Sequence, residues 1–291
     1  MRRGLQWNVV VAMISVTFVL ASGCQKAAPP APLANVVVIK CETLPETPDH
    51  PTWDTVPECV VQLIAQDLVE PRLLKLSTPE IRVRAVSDGN RMAFRMTWAD
   101  ATKDDLPGPT QFVDACAVQL PSVIEATVPA PQMGETGRPV DIVFWNAAWQ
   151  ATIDGRGDTI HDFQHRAAVD HYPFEAASLS PGSPTQQEMA TRYAPARAVG
   201  NTMAGPRKTP VQDLIATGPG TLAPVAEGRS TGAGCRTTSG WSVVIVRDVP
   251  KGLIPRGSSQ VAFAVWEGSH AEIGARKMRT AWIPLMFETK Q

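Results

Sequence analysis

The side chains that could do chemistry in this chain are few and unevenly spread. There are five histidines, and three of them cluster in His161-Asp162-Phe163-Gln164-His165 and Asp170-His171-Tyr172. An i, i+4 pair such as His161 and His165 would grip a metal ion if the segment were helical. No strong third ligand accompanies it and Pro173 soon follows, so solvated loop histidines are the competing reading. His50 and His270 stand alone. The cysteines Cys24, Cys41, Cys59, Cys116 and Cys235 match no zinc-site spacing. A Gly-x-Ser-x-Gly elbow, a phosphate-cradling glycine loop and a His-Glu-x-x-His pair are all missing from the sequence, so no familiar hydrolytic or nucleotide-handling chemistry is legible.

The amino end has its own chemistry. Met1-Arg2-Arg3 gives a positive start, Val9 to Leu20 an apolar middle, and Ala21-Ser22-Gly23-Cys24 small residues ending in a thiol. The apolar run is shorter than the roughly 20 residues that cross a bilayer, and the layout is that of a secretory signal peptide over residues 1–23. Its last four residues resemble a bacterial lipobox. The resemblance implies cleavage before Cys24, acylation of Cys24 and a lipid anchor on the periplasmic side. Gln25, rather than Asp, favours the outer membrane of a Gram-negative cell. Residues 24–34 are Ala/Pro-rich and read as a tether. Export permits disulfides, and Cys41 with Cys59, flanking the Pro-rich stretch Thr43 to Pro57, is the preferred pair. Cys116 reads as a buried free thiol and Cys235 as a loop residue.

The elements that must position any site follow a period of two. Ile81, Val83 and Ala85 alternate with arginines up to Ser87-Asp88-Gly89-Asn90, and Met92, Phe94, Met96 and Trp98 alternate after it, which is a hairpin with one shared apolar face. Further strands are expected over Val60 to Ala65, Ala115 to Leu120, Asp141 to Ala147, Trp241 to Arg247, Val261 to Trp266 and Ala281 to Phe287. The expected fold is all-β, an antiparallel β-sandwich over residues 35–291 with little helix. Residues 150–210, rich in Pro, Gly, Ala and His, interrupt it as a long excursion with a short helix at Thr185 to Arg192. With 291 residues, 44% hydrophobic and 19% charged, the chain is that of a folded globular protein. Lys plus Arg number 27 against 28 Asp plus Glu, with no basic block, so nucleic acid is a poor partner.

Several segments read together are more specific. They are Trp98-Ala99-Asp100-Ala101-Thr102-Lys103, Phe112 to Pro121, Met133-Gly134-Glu135-Thr136-Gly137-Arg138-Pro139-Val140-Asp141-Ile142 leading to Trp145, Asp213 to Leu222, Trp241 to Arg247, and Ala262 to Gly268 continuing through Arg276-Lys277. In this order they resemble the haem-binding gamma subunit of ethylbenzene-dehydrogenase-type molybdenum enzymes, from about Val56 to Phe287. The resemblance implies a β-sandwich holding one non-covalent haem b. It would relay electrons between molybdenum and iron–sulfur catalytic subunits and an external carrier such as a cytochrome c, without substrate chemistry of its own. The chain has no Cys-x-x-Cys-His motif, consistent with a haem held without thioether bonds.

By the same resemblance the axial ligands match Met133 and Lys277. A thioether is a soft, neutral ligand that favours ferrous iron, and two protein ligands leave no open coordination site, as suits a relay. Lysine ligates only as the free amine, which requires desolvation. Met133 sits on a turn; Met92 and Met96 alternate with Phe94 and Trp98, which makes them core residues. His270 is the reserve ligand to Lys277. Phe144, Trp145 and Trp266 either wall the haem or fill the sandwich, and Arg138 is a propionate partner. The lipobox-like start, the cysteine-flanked segment and the excursion depart from the simplest family members. The alternative is a haem-free β-sandwich lipoprotein serving as a carbohydrate-binding or structural module.

Overall fold

The computed structural model describes residues 35–157, 160–166, 180, 182–193, 196, 199–204 and 207–288. The signal-peptide and tether segments with Cys24, and His171 with Tyr172 to Glu175, lie outside them. The strands are β1 Val36–Lys40, β2 Cys59–Gln62, β3 Ile64–Ala65, β4 Glu80–Ser87, β5 Arg91–Ala99, β6 Ala115–Pro121, β7 Val140–Asn146, β8 Val211–Ala216, β9 Ala223–Pro224, β10 Thr231–Arg236, β11 Gly240–Asp248, β12 Ser258–Trp266, β13 Met278–Arg279 and β14 Ile283–Phe287. They hydrogen-bond in the order β10-β11-β5-β4-β1-β14-β12-β6-β7-β8-β9. All pairs are antiparallel except those of β1 with β4 and with β14.

β12 is where the sheet folds over. Its first half, Ser258 to Val261, pairs with β14, and its second half, Ala262 to Trp266, pairs with β6. The sheet therefore curls into two layers with their inner faces together. Phe94 of β5 meets Phe263 of β12 at 6.1 Å between ring centroids, and Trp145 of β7 meets Trp98 and Trp241 at 6.3 and 5.2 Å. Each such side chain, fully withdrawn from water, contributes about 1.5–3 kcal/mol. Only short helices accompany the strands, as expected of an all-β sandwich with little helix.

The hairpin Ile81 to Trp98 is β4 and β5, with Val83 opposite Met96 and Ala85 opposite Phe94. Asp88 closes its turn by accepting from the Asn90 and Arg91 amides at 2.8 and 2.7 Å, with Gly89 at φ 99°. Met92 and Met96 are fully buried in the core. In the excursion a helix spans Pro184–Tyr193, close to the expected one. The helix Ile160–Phe163 stops before His165, and both His161 and His165 are exposed, so the i, i+4 grip is not formed.

The cysteines differ from expectation. Cys41, Cys59, Cys116 and Cys235 are all unbridged. Cys59 pairs with Val83 on β4, whereas the Cys41 amide donates to the Ser87 carbonyl four residues further along the same strand. At about 3.3 Å per residue this separates the two by well over the roughly 7 Å that a disulfide spans. They also sit on opposite faces, Cys59 in the interior core and Cys41 against the outer cluster around Trp53. Cys116 is the buried thiol expected, and Cys235 lies in strand β10 rather than a loop. Among the described residues no helix is long and apolar enough to cross a membrane.

Candidate cofactor-binding face

Alternation makes each strand of the second layer two-faced. Phe263, Val265, Cys116, Val118, Leu120, Val143 and Trp145 face the interior. The opposite, outer face carries Ala264 and Trp266 of β12, Ala115 and Ala117 of β6, Val140, Ile142 and Phe144 of β7, and Leu214 and Ala216 of β8, a separate apolar cluster. Pairing places Ala264, Ala117, Phe144 and Gln212 in one row across four strands. At about 4.8 Å per strand that row is roughly 14 Å wide.

Small residues at its centre set its shape. Because β6 presents only alanine here, Phe144 and Trp266 reach across it to an edge-on contact, centroids 5.2 Å apart. Phe144 also meets Trp149 at 5.6 Å. Trp149 is held in the helix α1, Ala147–Ala151, whose first turn is capped by the Asn146 side chain. A cation closes each end of this aromatic ridge. Arg207 lies 3.7 Å over Trp149, and Lys277 Nζ lies 5.0 Å over Trp266. Lys277 is half-buried and has no carboxylate partner among the described residues. Burial, then the nearby Arg279 charge, pulls its ammonium down to about 8. A lysine in that state gives up its proton far more readily than one in water.

Met133 borders the same cluster from a loop. Its backbone is left-handed, φ 65°, a conformation uncommon for a non-glycine residue and costly unless its surroundings enforce it. They do so here with four bonds. Gly218 N donates to the Met133 carbonyl at 2.8 Å and Gly134 N to the Ala130 carbonyl at 2.9 Å. Gln119, on the outer face of β6, donates to the Pro131 carbonyl at 3.0 Å, and Trp282 Nε1 to the Pro129 carbonyl at 2.7 Å. Gly134 follows at φ 76°, where a Cβ would stand 3.0 Å from the carbonyls of Ala216 and Arg138. The thioether is therefore presented by a braced turn, not by a loosely packed side chain.

The structure gathers Met133, Lys277, Phe144 and Trp266 on one face. Trp145 is elsewhere: as the neighbour of Phe144 on a strand it must point the other way, and it is fully buried between Trp98 and Trp241 with its Nε1 donating to Gln150. Arg138 pairs with Glu135 at 2.6 Å in the small hairpin after Met133. His270 is exposed, in the turn Gly268–His270, with Nδ1 against the Glu267 carboxylate. Trp149, Arg207, Trp282 and Gln119 complete the face without having stood out in the sequence. Trp149 lies in a short helix, where alternation gives no signal, and Trp282, inside the strand expected over Ala281 to Phe287, immediately precedes β14.

A soft thioether and an amine that deprotonates readily, both bordering one apolar, aromatic-edged cluster, are a donor set that fits haem iron. The comparisons agree. A match to the ethylbenzene dehydrogenase family spans residues 50–278. A protein of Haloferax mediterranei named "Putative respiratory nitrate reductase heme subunit ORF7" is 25% identical over 293 residues, covering 98% of this chain and 84% of that protein. The chain belongs to the ethylbenzene dehydrogenase family, in its class of non-catalytic, haem-carrying electron-transfer subunits.

Proposed function

We propose that the outer face of β12-β6-β7-β8 would hold one non-covalent haem b, with Met133 and Lys277 as the residues that would ligate its iron. The observation that carries this reading is Lys277, whose amine is held over Trp266 without a counter-ion, in the cluster that the braced Met133 also borders. When bound, the haem supplies one reversible electron. The chain's own residues do the rest. The turn around Met133 fixes the backbone from which its thioether would be offered, and Lys277 would release its proton to free a lone pair. Phe144 and Trp266 exclude water from the cluster, which favours the less charged, ferrous state. Arg138, with Arg207 as a second candidate, would receive the propionates.

The relay serves molybdenum and iron–sulfur catalytic subunits on one side and an external carrier such as a cytochrome c on the other. Residues 1–23 direct export, and Cys24 anchors the domain to a membrane on the periplasmic side through the 24–34 tether. Fractionation tests the anchor: Cys24→Ala would move the protein from the membrane to the soluble fraction, and an unchanged distribution would refute it. For the haem, the test is an absorption spectrum of the exported protein before and after dithionite, with a pyridine haemochrome assay. A reducible six-coordinate b-type spectrum near one haem per chain is expected, altered by Met133→Ala and by Lys277→Ala. A folded colourless protein, or spectra and potentials unchanged in both variants, would overturn the reading, and the first of these would favour a haem-free binding module.

A further inference from the structure

A second group of side chains lies beyond the end of the aromatic ridge and has no part in holding a haem. Asp100 follows β5, Asp114 precedes β6 and Glu267 follows β12, so three chain segments bring three carboxylates together. All three are buried, and one oxygen from each lies within 4.8 Å of the others. Thr102 stands among them, its hydroxyl 3.4 Å from Asp100 Oδ1, 3.3 Å from Glu267 Oε1 and 2.6 Å from Asp104 Oδ2. Asp114 is oriented by donors at 2.8–2.9 Å: the Asp104 amide and Trp241 Nε1 at Oδ2, and the Gly268 amide at Oδ1.

Among the described residues two protein cations approach this group, Arg236 as an ion pair with Asp100 and His270 against Glu267, and neither donates a hydrogen bond to Asp100 Oδ2. Arg236 Nη1 is 3.7 Å from Asp100 Oδ1, beyond hydrogen-bond reach, while its Nη2 is spent on the Asp100 carbonyl at 2.6 Å. His270 touches only Glu267, from the exposed side. The Asp100 side chain is 0% exposed, and its second oxygen, Oδ2, is enclosed with no hydrogen-bond donor. An ionised oxygen so placed costs several kcal/mol unless something positive meets it.

We propose that Asp100, Asp114 and Glu267 form a binding site for a hard divalent cation of calcium size, tying the ends of β5, β6 and β12 together. All-oxygen donors select calcium or magnesium over softer metals. Oxygens within 4.8 Å of one another fit the shell of one cation, and three protein carboxylates suit calcium, which takes six to eight oxygens, better than magnesium, which keeps several waters and is bound through one or two carboxylates. The hydrogen bonds to Asp114 are the outer shell that orients a ligating carboxylate.

The test uses the full chain as purified. Metal content is measured, the ion is stripped with EGTA, and calcium chloride and magnesium chloride are titrated back by calorimetry, alongside thermal melts. One calcium site per chain, preferred over magnesium and raising Tm, is expected. Asp100→Asn and Glu267→Gln each weaken binding at least about tenfold, the scale of losing even an outer-shell partner. The Soret band, if present, and circular dichroism check that these variants fold. Absence of calcium binding and of any calcium-dependent Tm shift, tighter binding of magnesium, or unchanged affinity in both folded variants would overturn the proposal. Asp114→Asn is a poorer probe because Asp114 also accepts three structural hydrogen bonds.

Discussion

The two outer faces of this sandwich are built from the same kind of strand and finished differently. On the first layer, Val86, Ala93, Val244 and Val246 form an apolar patch that the chain closes itself. The turn Pro51–Thr55 lays Trp53 over it at 0% exposure, and the indole Nε1 donates to the Thr47 carbonyl at 3.0 Å. On the second layer, the patch around Ala115 and Ala117 is also withdrawn from water, but beneath side chains that are themselves partly exposed. Met133, Phe144 and Trp282 stay half-buried at its margin. An apolar face closed by its own indole contributes to stability. One covered by half-buried side chains, with a thioether and a lysine amine at its margin, leaves its donors within reach of a bound group.

The largest effect separating the faces is expected at Trp53. Trp53→Ala leaves a cavity on the closed face and should cost about 3–5 kcal/mol in denaturant unfolding while leaving the haem spectrum unchanged. A spectral change would mean that the faces are not independent. Next in size, haem should stabilise the wild-type chain by about 2.7–4.1 kcal/mol when present at 100 to 1,000 times its dissociation constant. Met133→Ala should lose most of that gain, while its haem-free stability changes little. An equal gain in the variant would remove Met133 from the site.

Acidity sharpens the comparison further, since the second layer's face carries a lysine amine at its margin. Lys277 titrates near 8 in the folded protein, below its value of 10.5 when free, so between those two pH values the unfolded chain holds the additional proton. The stability of the haem-free wild type relative to Lys277→Ala should therefore rise with pH across that window, the four thiols with raised values acting against it equally in both proteins. Affinity for ferric haem should climb up to about tenfold per pH unit below 8, where binding displaces a proton, and flatten above it. Lys277→Ala should abolish the slope in haem titration, and unfolding of the two proteins side by side reads the stability difference. The smallest effect is expected from Phe144→Leu, which removes two edge-on aromatic contacts worth about 0.5–1.5 kcal/mol each and should weaken haem retention without changing the ligand spectrum.

Some of this was legible because strand alternation is local. The β4–β5 hairpin, β6, β7, β11 and β12 follow directly from apolar residues at every second position, and the core roles of Met92 and Met96 follow with them. Strand β10 did not, and its reason is tertiary. Thr231-Gly232-Ala233-Gly234-Cys235 has the composition of a loop, yet it pairs along β11 because its glycines leave room for side chains arriving from the other layer. A Cβ on Gly234 would lie 2.4 Å from the Trp145 ring, and one on Gly232 would lie 2.6 Å from Val211. Strand β1 was unread because its partners, β4 and β14, are distant and parallel to it. The expected Cys41–Cys59 bridge failed for a related cause: nearness in sequence says nothing about where along β4 each cysteine is set down.

The sequence by itself determined which residues alternate, where the main hairpin turns and, through six ordered segments, which family the chain resembles. It also marked Met133 and Lys277, although by likeness and not by geometry. The tertiary structure decided which face each side chain occupies. It separated Phe144 from Trp145, brought Lys277 over Trp266, braced Met133 with Gln119, Trp282 and Gly218, and gathered Asp100 and Asp114 with Glu267 from a segment more than a hundred residues further on. The physical reason is that periodicity is a property of neighbouring residues, whereas a site here is made where strands distant in sequence curl against one another, and the pairing register that brings them together is set by long-range packing.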